Sequence, residues 1–161
     1  MTTREPEIVE KPAMRIAGFG RVLTWSNMRE IPRIWDQAGP WIESILGGND
    51  QDAYGAMFVP EPGAGDLGYL AGMVVQEDYE LAPGQIELRI PAIRWAVFPH
   101  NGALADFPAT IDAAQHGWLP TSGFQRFEAA PGNVAMMERY GPGFDPESGT
   151  GDMQVWLPLA S

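Results

Sequence analysis

An eight-residue segment occurs twice in this chain. Pro12-Ala13-Met14-Arg15-Ile16-Ala17-Gly18-Phe19 aligns without a gap on Pro91-Ala92-Ile93-Arg94-Trp95-Ala96-Val97-Phe98, and the helix-like Pro32 to Asp36 answers Pro108 to Asp112. Self-similarity of a strand pattern together with the helix pattern that follows it marks a repeated supersecondary unit. Two such units predict two lobes related by a pseudo-two-fold axis, their strands in one sheet or in facing sheets. A cleft is expected where the lobes meet, and interfaces of that kind are favoured places for small-molecule sites.

Hydrophobic periodicity fills in the units. A strand is expected from Glu7 to Val22, interrupted at Pro12. A helix capped by Asn27 follows, with Met28, Ile31, Ile34, Trp35, Ala38, Ile42 and Ile45 at spacings of three or four, and Gly39-Pro40 is expected to kink or split it. Gly47 to Asp50 ends that helix, and Tyr54 to Val59 and Leu67 to Val75 read as strands. In the latter, Tyr69, Ala71, Met73 and Val75 share one face, while Gly68 and Gly72 leave the other open to close approach by a ligand or a helix. After Pro83-Gly84 the order begins again: a strand from Ile86 to Phe98, a helix near Asp106 with Leu104, Phe107, Ile111, Ala114 and Trp118 as its apolar positions, a short strand opening at Phe127, and strands Val134 to Tyr140 and Met153 to Leu157. The expected architecture is α+β, a single domain over residues 1–161 made of two β-α-β-β lobes, about 7–76 and 84–159.

Composition excludes several classes of function. With 45% apolar and 19% charged residues the chain can bury one sizeable core. A net charge of -11 with only ten Lys and Arg argues against a surface that tracks phosphates. The lack of cysteine removes disulfides, zinc–cysteine sites and thiol catalysis. The first residues have no apolar signal-peptide core, and no run reaches membrane length, so a cytoplasmic protein with no membrane and no direct nucleic-acid partner is expected. His100 and His116 are not at metal-ligand spacing, and neither G-x-S-x-G nor H-E-x-x-H occurs. Asp145, Glu147 and Asp152 lie in a Gly-Pro-rich loop that matches no calcium-binding pattern. No metal and no cofactor are expected.

The residue that most needs a reason is Glu138, a carboxylate inside an apolar strand. Alternation puts Val134, Met136, Glu138 and Tyr140 on one face and Ala135, Met137 and Arg139 on the other. A desolvated carboxylate is costly unless paired, and at an effective dielectric near 20 a cation about 4 Å away returns about 4 kcal/mol. That partner is either an organic cation or a structural arginine, Arg94 or Arg15, on a neighbouring strand. Six Trp, seven Phe and four Tyr are more than a small core requires, and aromatic faces attract cations by about 0.5 to 2 kcal/mol each. Trp95, Trp118, Trp156, Tyr69 and Phe98 are the aromatics expected near the cleft, with Met136 as an adaptable neighbour; core packing is the plainer role for each.

Several of these strings resemble a known family: Pro91 opening the strand that holds Trp95 to Phe98, then Trp118-Leu119-Pro120-x-Ser122-Gly123, Glu138-x-Tyr140 and the terminal Leu157-Pro158-Leu159. Together they are similar to the gyrase-inhibitor-like (GyrI-like) small-molecule-binding domain, which includes effector-binding domains of AraC-type and multidrug-responsive MerR-type activators. The resemblance spans about Glu7 to Leu159. It implies a duplicated fold with a ligand groove between the antiparallel sheet and the helices, in which aromatic side chains surround a central acid that receives lipophilic cations. Glu138 matches that acid. The family commonly has Tyr where Trp95 stands, and the loop after Tyr140 is here unusually rich in Gly and Pro. With no helix-turn-helix ahead of the domain, the expected function is a stand-alone binding module, a sensor or sequestering protein, with a separate regulator as one partner. The resemblance also holds alternatives open. One is a hydrolase of cyclopropane-bearing DNA-alkylating compounds, with Glu138 activating water and Tyr140 or Tyr69 polarising a carbonyl. Another is inhibition of DNA gyrase through the acidic surface, and a third is haem carriage, as in the distantly similar SOUL-type fold.

Overall fold

Proline cannot donate a ladder hydrogen bond, so Pro12 and Pro91 each end the strand that precedes them. In the computed structural model, which describes residues 5–46 and 52–160, both expected long strands are split: β1 (Glu7–Lys11) from β2 (Met14–Leu23), and β5 (Ile86–Ile90) from β6 (Ile93–His100). With β3 (Ala53–Phe58), β4 (Leu67–Val75), β7 (Val134–Tyr140) and β8 (Met153–Leu159) they make one eight-stranded antiparallel sheet, ordered β1-β6-β8-β7-β3-β4-β2-β5. Exchanging β1 with β5, β2 with β6, β3 with β7 and β4 with β8 returns the same order read backwards. The fold is thus α+β with pseudo-two-fold symmetry, and its axis lies between β3 and β7.

Register places the axis to the residue. Arg15 faces Val75 as Arg94 faces Leu159, and three residues earlier on those partner strands Gly72 faces Tyr54 as Trp156 faces Met137. Tyr54 and Met137 are therefore equivalent, and so are the residues that follow them, Gly55 and Glu138. These two are also paired with each other across β3 and β7. The axis passes through the Gly55–Glu138 pair.

Chain connectivity makes the sheet curl. Lys11 and Met14 are three Cα steps apart, at most about 11 Å, whereas six strand spacings, about 29 Å, would separate β1 from β2 in a flat sheet. The ends must approach each other, and the inner face closes on one apolar cluster that includes Ile16, Tyr54, Leu70, Ile90, Trp95, Met137 and Trp156. Trp95 is fully buried there, its indole N–H without a partner among the described residues.

Helices cover the outer face. A 3-10 turn (Trp25–Glu30) leads into α1 (Ile31–Leu46), and the cap is Thr24, whose amide donates to Asn27 Oδ1 at 2.7 Å. The helix continues through Gly39-Pro40, because Ile34, Ala38 and Ile42 on either side of that pair bury one continuous stripe against Leu23, Tyr69 and Ala71. Its expected stop at residues 47–50 lies outside the described residues. The second helical segment is composite: a 3-10 turn (Leu104–Asp106), α2 (Phe107–Asp112), a π-helical stretch (Ala113–Trp118) and α3 (Leu119–Ser122), closed by Gly123 at φ +82°. It covers Phe98, Met136, Val155 and Leu157. The glycine face of β4 admits neither helix nor ligand: the Phe58 ring lies over Gly68, and Gly72 packs on the backbone of Ala17 and Gly18. Phe127 forms no strand; only an isolated bridge, Arg126 to Leu159, joins that segment to β8. Among the described residues no helix is long and apolar enough to cross a membrane.

Arg15 ties the two halves together. It is 7% exposed, pairs with Glu87 of β5, and donates to the carbonyls of Gln76 (2.9 Å), Glu77 (3.4 Å) and Tyr79 (2.7 Å) in the connection between halves. Its counterpart Arg94 is 41% exposed and among the described residues reaches only Glu10, at 3.9 Å. Urea denaturation should therefore show Arg15→Gln less stable by about 2–4 kcal/mol, since its partners lose a charged donor. Arg94→Gln should lie within about 0.5 kcal/mol of wild type.

Candidate functional site

β7 carries Glu138 onto the outer face of the sheet, at the seam between the α1 layer and the second helical layer. Met136 and Tyr140 share that face as alternation requires, but Val134 does not. The β3·β7 register shifts between Met57 and Phe58, which pair with Met136 and Val134, so Ala135 is an extra residue and Val134 turns to the inner face.

Three elements converge on the carboxylate. β4 brings Tyr69, whose phenol donates to Glu138 Oε1 at 2.7 Å, and the Tyr140 phenol donates to the same oxygen at 3.1 Å. α1 brings Trp35, whose indole N–H donates to Tyr69 Oη at 2.9 Å and whose ring stands edge-on to Tyr140 at 5.3 Å. Phe107 of α2 (6.0 Å) and Phe144 (4.9 Å) enclose the rest of the Tyr140 ring. Opposite lies Gly55, where any Cβ would run into Tyr69 Oη and Glu138 Oε1. A side chain on the far side of the axis is thereby excluded.

Electrostatics follow from this packing. Burial raises the Glu138 pKa above the ordinary carboxylate value of 4.5, with the two phenol hydrogen bonds pulling it partly back. Burial, reinforced by the neighbouring Glu138 charge, also raises both phenols well above 10, so Tyr69 and Tyr140 stay protonated and act as donors. None of the ion pairs among the described residues involves Glu138. Arg15 and Arg94 pair with Glu87 and Glu10 instead, and Arg139, on the opposite face, pairs with Asp52 and Asp152. Glu138 keeps partial exposure, and its Oε2 makes no hydrogen bond among the described residues. The arrangement is a carboxyl acceptor with one oxygen held by two phenols and the other without a hydrogen bond among the described residues, set among aromatic rings.

The structure gathers Glu138, Tyr140 and Tyr69 at one point and puts Met136 on the same face. Phe98 and Trp118 belong to the same outer layer, under the second helical segment, where Trp118 stands edge-on to Phe98 at 5.4 Å and stacks on Phe124. Trp95 and Trp156 are not brought to the acid. They meet each other at 5.6 Å inside the curled sheet, on the other face. Trp35, Phe107 and Phe144 were not singled out by sequence as site residues. Trp35 reads as part of the α1 core stripe, and its signal is the polar N–H that a buried indole must satisfy. Among the described residues no cluster of three His, Asp or Glu is placed to hold a metal ion.

Comparison with known proteins agrees with this geometry. The transcriptional regulator BrlR of Pseudomonas aeruginosa is 28% identical over 125 residues, 72% of this chain, and the chain spans 44% of BrlR. Among solved structures, a putative transcription regulation protein from Staphylococcus aureus MU50 superposes with a TM-score of 0.72 at 14% identity, covering 98% of this chain and 99% of the other. SAV2435, solved bound to tetraphenylphosphonium, does so with a TM-score of 0.73 at 14% identity over 98% and 95%. A model of the GyrI-like small molecule binding domain matches residues 4–160, so this chain belongs to that family.

Proposed function

We propose that this domain binds lipophilic organic cations, with the positive centre against Glu138 and the apolar body among Trp35, Tyr140 and Phe107. The observation that carries this reading is a carboxyl held by two phenols, with no protein cation paired to it and one oxygen free among the described residues. Tetraphenylphosphonium bound to the similarly folded SAV2435 supports the ligand class. Likeness to BrlR, a transcriptional regulator, supports a role as a sensor or sequestering module working with a regulator in the cytoplasm.

Titration of tetraphenylphosphonium, followed by quenching of tryptophan fluorescence, should show saturable binding that Glu138→Gln weakens about tenfold or more. The Coulomb attraction of about 4 kcal/mol at 4 Å is partly offset by desolvation of both charges. Triphenylphosphine oxide, a neutral aromatic comparator, should change by less than about threefold, under about 0.7 kcal/mol. Equal affinity of both proteins for the cation would refute the assignment of Glu138.

Mass spectrometry separates binding from hydrolysis. Cyclopropane-bearing alkylating compounds should be recovered unchanged, and gain of one water by wild type but not by Glu138→Gln would replace binding with catalysis at the same acid.

The same variant reports the cost of the site. A carboxyl whose pKa is raised by folding favours the folded state most when protonated, below 4.5, and that advantage is lost as pH rises through its folded value. Above its folded value the ionised Glu138 is a burden that Gln removes. Thermal melts should therefore place Glu138→Gln about 2–4 °C above wild type at pH 8, for about 1 kcal/mol, with the gap closing at pH 4. A variant less stable than wild type at pH 8 would show that the phenol hydrogen bonds outweigh desolvation.

A further inference from the structure

Two irregular elements of the outer layer meet at one point beside Glu138. Phe107, in the first turn of α2, stands edge-on to Tyr140 at 6.0 Å, and Gln115, further along the segment, places its amide Nε2 3.3 Å from the Met136 sulfur. The second helical segment therefore runs antiparallel to β7 along its outer face: the helical span from Phe107 to Gln115 rises about 12 Å, and the strand span from Tyr140 to Met136 covers about 13 Å. Glu138 lies midway between the two contacts. An unbroken α-helix would carry Gln115 about 80° round from Phe107, away from the strand. The π-helical stretch, in which the Leu119 amide donates to the carbonyl of Ala114, winds more slowly and takes up part of that rotation. On the strand side, the bulge at Ala135 sets the bearing of Met136. π turns and bulges each disturb regular hydrogen bonding, and both recur where a side chain is aimed at a site.

We propose that Gln115 is a specificity-determining residue of this groove, favouring cations that carry a hydroxyl, amino or amide group about 7 Å from the charged centre. The proposal rests on the reading of Glu138 as the partner of that charge. Glu138 and Met136 are next neighbours on one face of β7, about 7 Å apart, so a ligand whose charge meets the carboxyl group reaches the Gln115 amide with its far end. Around that amide the floor is thioether. Met57, paired with Met136 across β3 and β7, packs against the apolar clusters of both helical layers and so lies beneath the seam between them. Thioethers adapt to many shapes but are weak acceptors, so the amide N–H loses little by leaving Met136 for a ligand. Gln115 keeps partial exposure, and its carbonyl oxygen makes no hydrogen bond among the described residues. A primary amide thus offers the ligand both a donor and an acceptor. Being neutral, it selects for hydrogen bonding at a set distance from the charge and not for a second charge.

The probes are benzyltriphenylphosphonium and its 4-hydroxybenzyl and 2-hydroxybenzyl derivatives, titrated calorimetrically into the intact protein. The para hydroxyl lies about as far from phosphorus as Met136 lies from Glu138, whereas the ortho hydroxyl lies close to the charge. Wild type should bind the 4-hydroxybenzyl cation about three- to tenfold more tightly than the benzyl cation, the range of one net hydrogen bond, and the 2-hydroxybenzyl cation no more tightly. In Gln115→Leu the 4-hydroxybenzyl and benzyl cations should bind alike, while Glu138→Gln should weaken both and keep their ratio. The isomer comparison uses wild type alone, so it decides the matter even where a variant fails to fold. Equal binding of the benzyl and 4-hydroxybenzyl cations by wild type, an equal gain from either isomer, or a preference that survives in Gln115→Leu would overturn the proposal. Weaker binding by Glu138→Gln with no isomer preference in wild type would leave cation binding standing and remove Gln115 from it. Failure of all three cations to bind saturably would overturn both readings.

Discussion

Two links of two residues each, Pro12-Ala13 and Pro91-Ala92, govern this molecule. Each joins strands that lie six positions apart in the sheet order, and a link so short leaves the sheet no choice but to roll up. Rolling creates an inner face that only apolar side chains can fill, and Trp95, Trp156 and Tyr54 fill it. It also commits β1 to the second half and β5 to the first, so each half finishes the other's sheet. Most of the stabilising contacts are consequently distant in sequence, and ordered halves presuppose each other.

The outer face then has a defined task. α1 and the second helical segment chiefly cover the strands of their own half, and the two layers meet over the axis between β3 and β7, where Trp35 of α1 stands against Tyr140 of β7. Residues on those two strands are thus the ones that can face a ligand entering between the helices. Glu138 is the acid at that position, and the phenols of Tyr69 and Tyr140 reach it from opposite halves. The hydrogen-bonded chain from Trp35 through Tyr69 to Glu138 ties the α1 layer to the acid.

Much of this was legible in the residues, and the failures have physical causes. Alternation identified the strands, and the repeated Pro-Ala segment implied the duplication. An acid in Val134 to Tyr140 stood out because its neighbours were apolar. Trp95 and Trp156 were assigned to the wrong side because both faces of this sheet are buried, and alternation then says only which residues share a face, not which face meets the helices. Val134 was misplaced by a bulge, which leaves no mark in a run of apolar residues. Trp35 hid for a related reason: on a helix that buries one stripe, an indole that donates to a site looks the same as one that fills a gap. The split at Pro12 was seen, but that it separates strands bound for opposite ends of the sheet depends on long-range pairing.

Gly55 gives the axis its final meaning. A strictly symmetric chain would carry a second glutamate there, directly across from Glu138, with the two Cβ atoms about 5 Å apart. Two carboxylates so placed would share one proton, and an asymmetric guest would fit equally well in either of two opposed poses. With glycine opposite, the site holds a single carboxyl, Tyr69 Oη and Glu138 Oε1 fill the space a second side chain would need, and the two poses cease to be equivalent. A fold built on near-symmetry is thereby left with one acid on its axis and no twin across it, so any guest that paired with that acid would meet an asymmetric site.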